Sequence, residues 1–194
     1  LSHMRRIEGD EAVAFAERLR SYARVYIYMP TWRGCKKDFI RQAGFDLQRL
    51  EEALAKTDSL FVFKLHPMTK LSIDTAAYPH IVFLDSRMDI YPLLPFTDVL
   101  VTDYSSIYYD YLLMPEKEIL LFPFDYEEYV TEDRDLAFDF DEYTPGERVY
   151  TFDALVQQIA AKAHFELPQR QWITEQFWGD ATHHRDLYQA VSQL

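Results

Sequence analysis

The stretch DVLVTDYSS, residues 98–106, decides the fold of this chain. Its apolar run 99–101 has no polar face, which is typical of a strand buried on both sides of a parallel sheet. Ser105 and Ser106 stand where a helix would begin, because serine is a good N-cap and apolar residues follow at helical spacing. A strand that leads into a helix N-terminus offers free backbone N–H groups to an anion. The stretch predicts either a phosphate site or an ordinary capped turn.

The composition is that of a globular protein with a sizeable core. The chain has 194 residues, of which 48% are hydrophobic and 27% are charged. Its net charge of −12 argues against a nucleic-acid partner. No apolar run is long enough to span a membrane. Residues 1–4 resemble the remnant of a cleaved expression tag, so residues 5–194 are expected to form a single nucleotide-binding domain.

Cysteine and histidine usage gives no indication of a metal centre. The single cysteine, Cys35, excludes an internal disulfide and fits a reducing compartment. No spacing of histidines and cysteines suits zinc, and the adjacent pair His183-His184 would point in different directions on a helix. We therefore expect neither a metal nor a cofactor.

Short β-rich runs alternate with amphipathic segments along the chain. Strands are predicted at 24–29, 60–65, 81–84, 98–102 and 118–122, and the main helices at 10–22, 46–57, 105–113, 151–163 and 169–192. This alternation predicts an α/β fold, a Rossmann-like parallel sheet with helices on both faces. Right-handed crossovers then bring the carboxyl ends of the strands to one edge. The acidic and aromatic residues 125–148 are expected to be irregular.

Three loops at that carboxyl edge carry side chains suited to an anion. Thr31 and Arg33 follow the first strand, His66 follows the second, and Asp103 with the two serines follows the central one. Ligands of open α/β sheets bind at this edge, and an arginine fork pairs well with phosphate. Histidine can donate to a phosphate or act as a general acid or base. Each residue alone also has a structural explanation, which for His66 is the capping of a strand end.

Three segments, in this order, resemble motifs of the CDP-glycerol glycerophosphotransferase family, which comprises teichoic-acid primases and polymerases and related capsule polymerases. The segments are YMPTWR at 28–33, KLHP at 64–67 and TDYSS at 102–106. The resemblance covers roughly residues 24–185. It implies a two-domain GT-B fold, of which this chain resembles the C-terminal, donor-binding half. The family's essential His-Gly motif belongs to the other half and is absent here, so the chain is expected to be an inactive fragment.

The resemblance also implies partners and a location. The partners are a CDP-glycerol or related CDP-polyol donor, a polymer or lipid-linked acceptor, and the missing N-terminal half of the same enzyme. Residues 10–22 and 169–192 would be helices that cross to that half. The full-length protein would be cytoplasmic, at the inner face of the bacterial cell membrane.

Site roles follow from the same resemblance. Ser105 and Ser106 would hold the diphosphate, with Thr31 and Arg33 adding to that cradle. His66 would bind or protonate the phosphate at the reacting centre.

Three further residues have implied roles in the same site. Asp103 would position the loop, while Asp125 and Arg134 would contribute to nucleotide binding, although Asp135 stands where the family has glycine after the arginine. The implied reaction is attack by an acceptor hydroxyl on the β-phosphorus of the donor, with release of CMP. Positioning and charge stabilisation would do most of that work.

Two alternatives stay open at this point. One is a GT-B glycosyltransferase domain that uses a UDP- or GDP-sugar, although the glycine-rich turn usual in such domains is not found. The other is a non-catalytic nucleotide-binding or interaction module, which the absent His-Gly motif and the aromatic content of 16% would suit.

Overall fold

A parallel sheet forms the centre of the computed structural model, which describes residues 2–33, 39–66, 69, 76–133 and 138–179. The strands are β1 (Arg24–Tyr28), β2 (Ser59–Phe63), β3 (Ile81–Phe83), β4 (Val99–Thr102), β5 (Glu118–Leu121) and β6 (Glu147–Arg148). They lie in the order β3-β2-β1-β4-β5-β6, and every neighbouring pair is parallel. The predicted α/β fold is confirmed. The short strand β6 is a correction, because it lies in the stretch that was expected to be irregular.

Helices cover both faces of this sheet. They are α1 (Ser2–Leu19), α2 (Phe39–Gln42), α3 (Leu47–Thr57), α4 (Ile107–Tyr111), α5 (Tyr126–Glu128), α6 (Phe140–Tyr143), α7 (Phe152–Ala160) and α8 (Arg170–Trp178). A 3₁₀ turn covers Leu94–Phe96 and a π turn covers Tyr129–Asp133. Within these described ranges, no helix is both long and apolar enough to cross a lipid bilayer.

Three helices differ in length from their predictions. Helix α1 begins at Ser2 and ends at Leu19 rather than at residue 22. It is broken at Gly9, whose φ of 86° is readily adopted by glycine but rarely by other residues. Helix α4 has five residues, about half the predicted length. Only the first part of the predicted helix 169–192 can be compared, since residues 180–192 lie outside the described part of the chain.

Strand β4 is fully buried, as its apolar run predicts. Val99 and Val101 pack in the core on the side of α3 and α7, while Leu100 packs on the opposite side, with α1, α4 and α8. This alternation follows from the period of two along a strand. A strand with a hydrophobic layer on each side has a fixed register, so the loop that follows it is held firmly in place.

The strand order sets the position of the site. From β1 the chain moves outward through β2 and β3 on one side, and from β4 it moves outward through β5 and β6 on the other. The order therefore reverses between β1 and β4, which pair directly. Ligands of open α/β sheets usually bind beside such a switch point, at the carboxyl ends of the strands.

Candidate functional site

Asp103 joins the two loops at the switch point. The residue is fully buried directly after β4. Its Oδ1 accepts a hydrogen bond of 2.8 Å from the backbone N–H of Thr31 and one of 2.7 Å from the Thr31 hydroxyl. A buried carboxylate needs such donors to offset its lost hydration. Asp103 therefore fixes the loop after β1 against the loop after β4.

Arg33 extends this connection to the loop after β5. Its side chain is fully buried, and Nη1 lies 2.6 Å from Oδ2 of Asp103. Its Nε and Nη2 donate to Oδ2 and Oδ1 of Asp125 at 3.0 and 2.8 Å, a paired geometry that only a guanidinium provides. We call Arg33, Asp103 and Asp125 the buried ion cluster. It joins the ends of three strands, β1, β4 and β5.

The contact between Arg33 and Asp103 is ionic in character. Although Nη1 and Oδ2 are close, Oδ2 of Asp103 has no partner with hydrogen-bond geometry among the described residues. The same Nη1 donates to the carbonyl oxygen of Thr31, which accounts for the orientation of its N–H. The cluster holds two carboxylates and one guanidinium, so it depends strongly on the positive charge of Arg33.

Aromatic rings enclose the guanidinium. The Cζ atom of Arg33 lies 5.3 Å from the ring centroid of Tyr104, 5.4 Å from that of Phe124 and 5.3 Å from that of Tyr129. These are cation–π distances. The Tyr104 hydroxyl also donates to Oδ1 of Asp125 at 3.2 Å. The rings exclude water from the cluster. The electrostatic attraction between its charges is therefore stronger than it would be in water.

This environment shifts two pKa values in the same direction. Burial, Asp125 and Asp103 raise the pKa of Tyr104 well above its ordinary value. Burial acts to lower the pKa of Arg33, but the two carboxylates more than offset it, so the pKa rises and the guanidinium stays charged. As a consequence of the two raised pKa values, Arg33 stays charged and Tyr104 stays neutral throughout the physiological range.

Tyr104→Phe tests this environment through alkaline unfolding. A phenol whose folded pKa is raised contributes stability that is complete below its unfolded pKa of about 10 and is lost as the pH rises above it. Tyr104 alone makes the free energy of unfolding fall by about 1.4 kcal/mol per pH unit once the unfolded phenol is fully ionised, and by about 1 kcal/mol between pH 10 and 11, where it is partly ionised. We expect Tyr104→Phe to remove this fall of about 1 kcal/mol in urea titrations at pH 10 and 11. Tyr150→Phe, at an exposed position, is the control, and an unchanged slope for Tyr104→Phe would contradict the shift.

Neither of the two serines caps α4 in the way that the sequence predicts. Ser106 occupies the N-cap position of α4, but its hydroxyl makes no capping hydrogen bond, which corrects the expectation of a serine cap. Ser106 is exposed and Ser105 is half-buried. Because α4 is only five residues long, its dipole adds little, and the available donors are the serine hydroxyls and the N–H groups of the turn.

His66 lies on the other side of the loop after β1 and is exposed. Its imidazole contacts the indole of Trp32, with ring centroids 5.6 Å apart and planes inclined by 33°. Two residues earlier, the ammonium of Lys64 donates to the carbonyl oxygens of Asp85 and Ser86 at 3.1 and 2.7 Å. The end of β2 is therefore tied to the loop after β3.

A cleft of about 630 Å³ lies beside the buried ion cluster. It is lined by Gln42, Pro123, Phe124, Asp125, Tyr126, Glu127, Glu128 and Tyr150. A smaller hollow of about 190 Å³ lies between the turn after β4 and α6 and is lined in part by Tyr104, Ser106 and Phe140. The described residues include no group of three or more His, Cys, Asp or Glu that could hold a metal ion.

The structure brings most of the predicted site residues to one edge, but in two layers. Buried Arg33 and Asp103, with the half-buried Thr31 and Asp125 that bond to them, form what we call the buried layer. The half-buried Ser105 and the exposed Ser106 and His66 form the accessible layer. Arg134 lies outside the described residues. Sequence reasoning missed the aromatic enclosure. Tyr104 stands inside the quoted TDYSS segment, but nothing local indicates that its ring encloses the Arg33 guanidinium together with those of Phe124 and Tyr129.

Known structures define the class of this protein. The chain is similar to the wall teichoic acid polymerase TagF with a TM-score of 0.61 and 22% identity, over 92% of this chain and 44% of that one. A TagF variant soaked with CDPG gives a TM-score of 0.60 at 23% identity, over 89% and 41%. The class is thus a Rossmann-like α/β domain of the GT-B type.

A family model described as CDP-Glycerol:Poly(glycerophosphate) glycerophosphotransferase matches residues 13–191. The chain belongs to the CDP-glycerol glycerophosphotransferase family.

Curated relatives are teichoic-acid enzymes. The ribitol-phosphate polymerase TarL of Staphylococcus aureus is 31% identical over 70% of this chain, and the poly(ribitol-phosphate) polymerase of Bacillus spizizenii is 32% identical over 74%. The glycerol-phosphate primase of Bacillus subtilis is 29% identical over 70%. The chain spans only 25%, 23% and 35% of the lengths of these three relatives.

Proposed function

We propose that this chain is the donor-nucleotide-binding domain of a polyol-phosphate transferase of teichoic-acid or capsule-like polymer synthesis. The donor would be CDP-glycerol or a related CDP-polyol such as CDP-ribitol. The match of the family model over residues 13–191 supports the transferase class. The observation that carries the proposal is that the three motif loops meet at the switch point of the sheet, joined by Asp103 and by the contact between Trp32 and His66.

In this proposal, the accessible layer binds the donor. The hydroxyls of Ser105 and Ser106 and the N–H groups of their turn hold the diphosphate. His66 donates to the phosphate at the reacting centre, as a protonated imidazole can. Arg134, which follows the β5 loop in sequence, adds positive charge to the nucleotide site.

The buried layer supports these ligands. Sequence reasoning assigned Arg33 and Thr31 to the phosphate, and that assignment stays a prediction. We propose a different role for them, because both ends of the Arg33 guanidinium already bind carboxylates and its side chain is fully buried. Asp103 and Asp125 hold the loops, and Arg33 keeps their charges compensated. Stable loops let the serines and the imidazole meet a donor without reorganisation.

The proposed reaction is a phosphoryl transfer. An oxygen of the acceptor polyol attacks the β-phosphorus of the donor and forms a new P–O bond. The bond between the β-phosphorus and the bridging oxygen breaks, and that oxygen leaves with CMP. The proton of the acceptor hydroxyl passes to water, and His66 stabilises the charge that develops on the phosphate oxygens. The acceptor, the remaining half of the enzyme and a location at the inner membrane face are parts of this proposal that rest on the resemblance.

Calorimetric titration of this chain with CDP-glycerol, CDP, CMP and UDP tests the proposal. We expect the cytidine diphosphates to bind and UDP to bind more weakly. The double variant Ser105→Ala/Ser106→Ala should weaken the binding of CDP about tenfold or more, because two hydrogen bonds to a charged group are removed. The matched control is Ser21→Ala, whose hydroxyl bonds locally after α1. Preference for UDP would favour a sugar-nucleotide enzyme, and no binding of any nucleotide would contradict the proposal.

A further inference from the structure

The loop after β1 presents an aromatic side chain between two anchored residues. Thr31 is held by two hydrogen bonds to Asp103, and Arg33 is held by Asp103 and Asp125. Trp32 lies between them, so its backbone is fixed on both sides. The buried ion cluster therefore does more than connect strands, since it also sets the position of this indole.

The indole in turn contacts the imidazole of His66. With 5.6 Å between the ring centroids and planes inclined by 33°, the two rings make a tilted aromatic contact. Trp32 is half-buried, whereas His66 is exposed. An exposed side chain such as that of His66 has several accessible rotamers. Contact with the indole of Trp32, whose backbone is held in place, reduces their number.

The contact also suits a cation. The face of an indole carries negative potential and attracts a cation such as an imidazolium, and tryptophan is the strongest aromatic partner for one. A histidine that donates to a phosphate must be protonated to use both ring nitrogens. The same indole therefore orients the ring that donates to the phosphate.

We propose that Trp32 is a positioning residue for His66, held in place by the buried ion cluster. The role of His66 in this proposal rests on the proposed function. The contact between Trp32 and His66 does not depend on it. Trp32 acts through the imidazole and not on the donor. Arg33 then serves the reaction indirectly, since it fixes the residue on which the imidazole packs.

Imidazole NMR tests the contact without any ligand. The chain has six histidines, and the His66 signals are identified by their loss in His66→Gln. We expect an upfield ring-current displacement of these signals that disappears in Trp32→Leu and partly returns in Trp32→Phe. Trp172→Leu, which removes an exposed indole from α8, is the control. His66 signals that are the same in Trp32→Leu as in the parent chain would overturn the proposal.

A double-mutant cycle tests the indirect action. Trp32→Leu should weaken the binding of CDP about two- to fivefold, as expected for a cation–π contact at an exposed site. In the His66→Gln background the same change should have no further effect. Equal weakening in both backgrounds would show that Trp32 contacts the donor directly, and would overturn the proposal. If CDP does not bind at all, the proposed function fails, and the NMR comparison alone decides whether Trp32 positions the imidazole.

Discussion

Arg33→Met is expected to lower the free energy of unfolding by about 3–5 kcal/mol, the range found when one partner of a buried ion pair is removed. Methionine fills much of the same volume, so the loss comes mainly from charge. Asp103 and Asp125 would stay buried without the guanidinium that compensates them. For a chain of this size the expected fall in Tm is roughly 6–20 °C. Urea titration and calorimetry measure both quantities.

An exposed ion pair supplies the matched control. Arg49 pairs with Asp153 at 2.6 Å, and both side chains are more than half exposed. Arg49→Met should therefore cost at most about 1 kcal/mol. Asp103→Asn and Asp125→Asn, added to Arg33→Met, should recover part of the lost stability, because the uncompensated charges are then gone. Equal effects of Arg33→Met and Arg49→Met would contradict the structural importance of the buried ion cluster.

His66→Ala is expected to lower kcat of the full-length transferase by about 10²–10³-fold, the usual cost of removing one donor that stabilises charge in the transition state. Because the side chain is exposed, its removal should change the free energy of unfolding by no more than about 0.5 kcal/mol. A large loss of turnover in a stable protein would place His66 at the reacting centre. Steady-state kinetics with the CDP-polyol donor give kcat, and thermal unfolding gives the stability.

His164→Ala is the control for that experiment. The imidazole of His164 is also exposed, but it pairs with Glu118 at the amino end of β5, on the edge opposite the site. Its removal should leave kcat unchanged. If His66→Ala kept the turnover of the parent enzyme, His66 would have no chemical role, and the assignment of the reacting centre would be wrong.

The sequence predicts the architecture well because the four inner strands are buried on both faces. The continuous apolar run at 99–101 and the alternation of strand and helix patterns need no knowledge of the partner elements. The edge that carries the site follows from the same pattern, since crossovers are right-handed. Thr31, His66 and Asp103 could all be assigned to that edge before the strand order was known.

The layering of the site could not be predicted in the same way. Arg33 has the same local sequence whether it faces a phosphate or two buried carboxylates, and only the tertiary structure brings Asp125 to it. Tyr104 and Tyr129 stack with centroids 4.2 Å apart although they come from different loops. Such contacts join distant parts of the chain, and local propensity contains no information about them.

The short elements β6 and α4 also differ from the sequence-based prediction. Strand β6 has two residues and is held by its pairing with β5 rather than by β propensity. Helix α4 ends early, at Tyr111, which is buried in the core and bonded through its hydroxyl to Thr97. Tertiary packing outweighs propensity in elements of this length.

A crystal structure of this chain with CDP-glycerol tests the central claim most directly. The account predicts a diphosphate within hydrogen-bond distance of the Ser105 and Ser106 hydroxyls, with the imidazole of His66 facing it. Arg33 should remain on Asp103 and Asp125. A guanidinium that leaves these carboxylates to bind the phosphate, or a nucleotide bound away from the carboxyl edge of the sheet, would contradict the account.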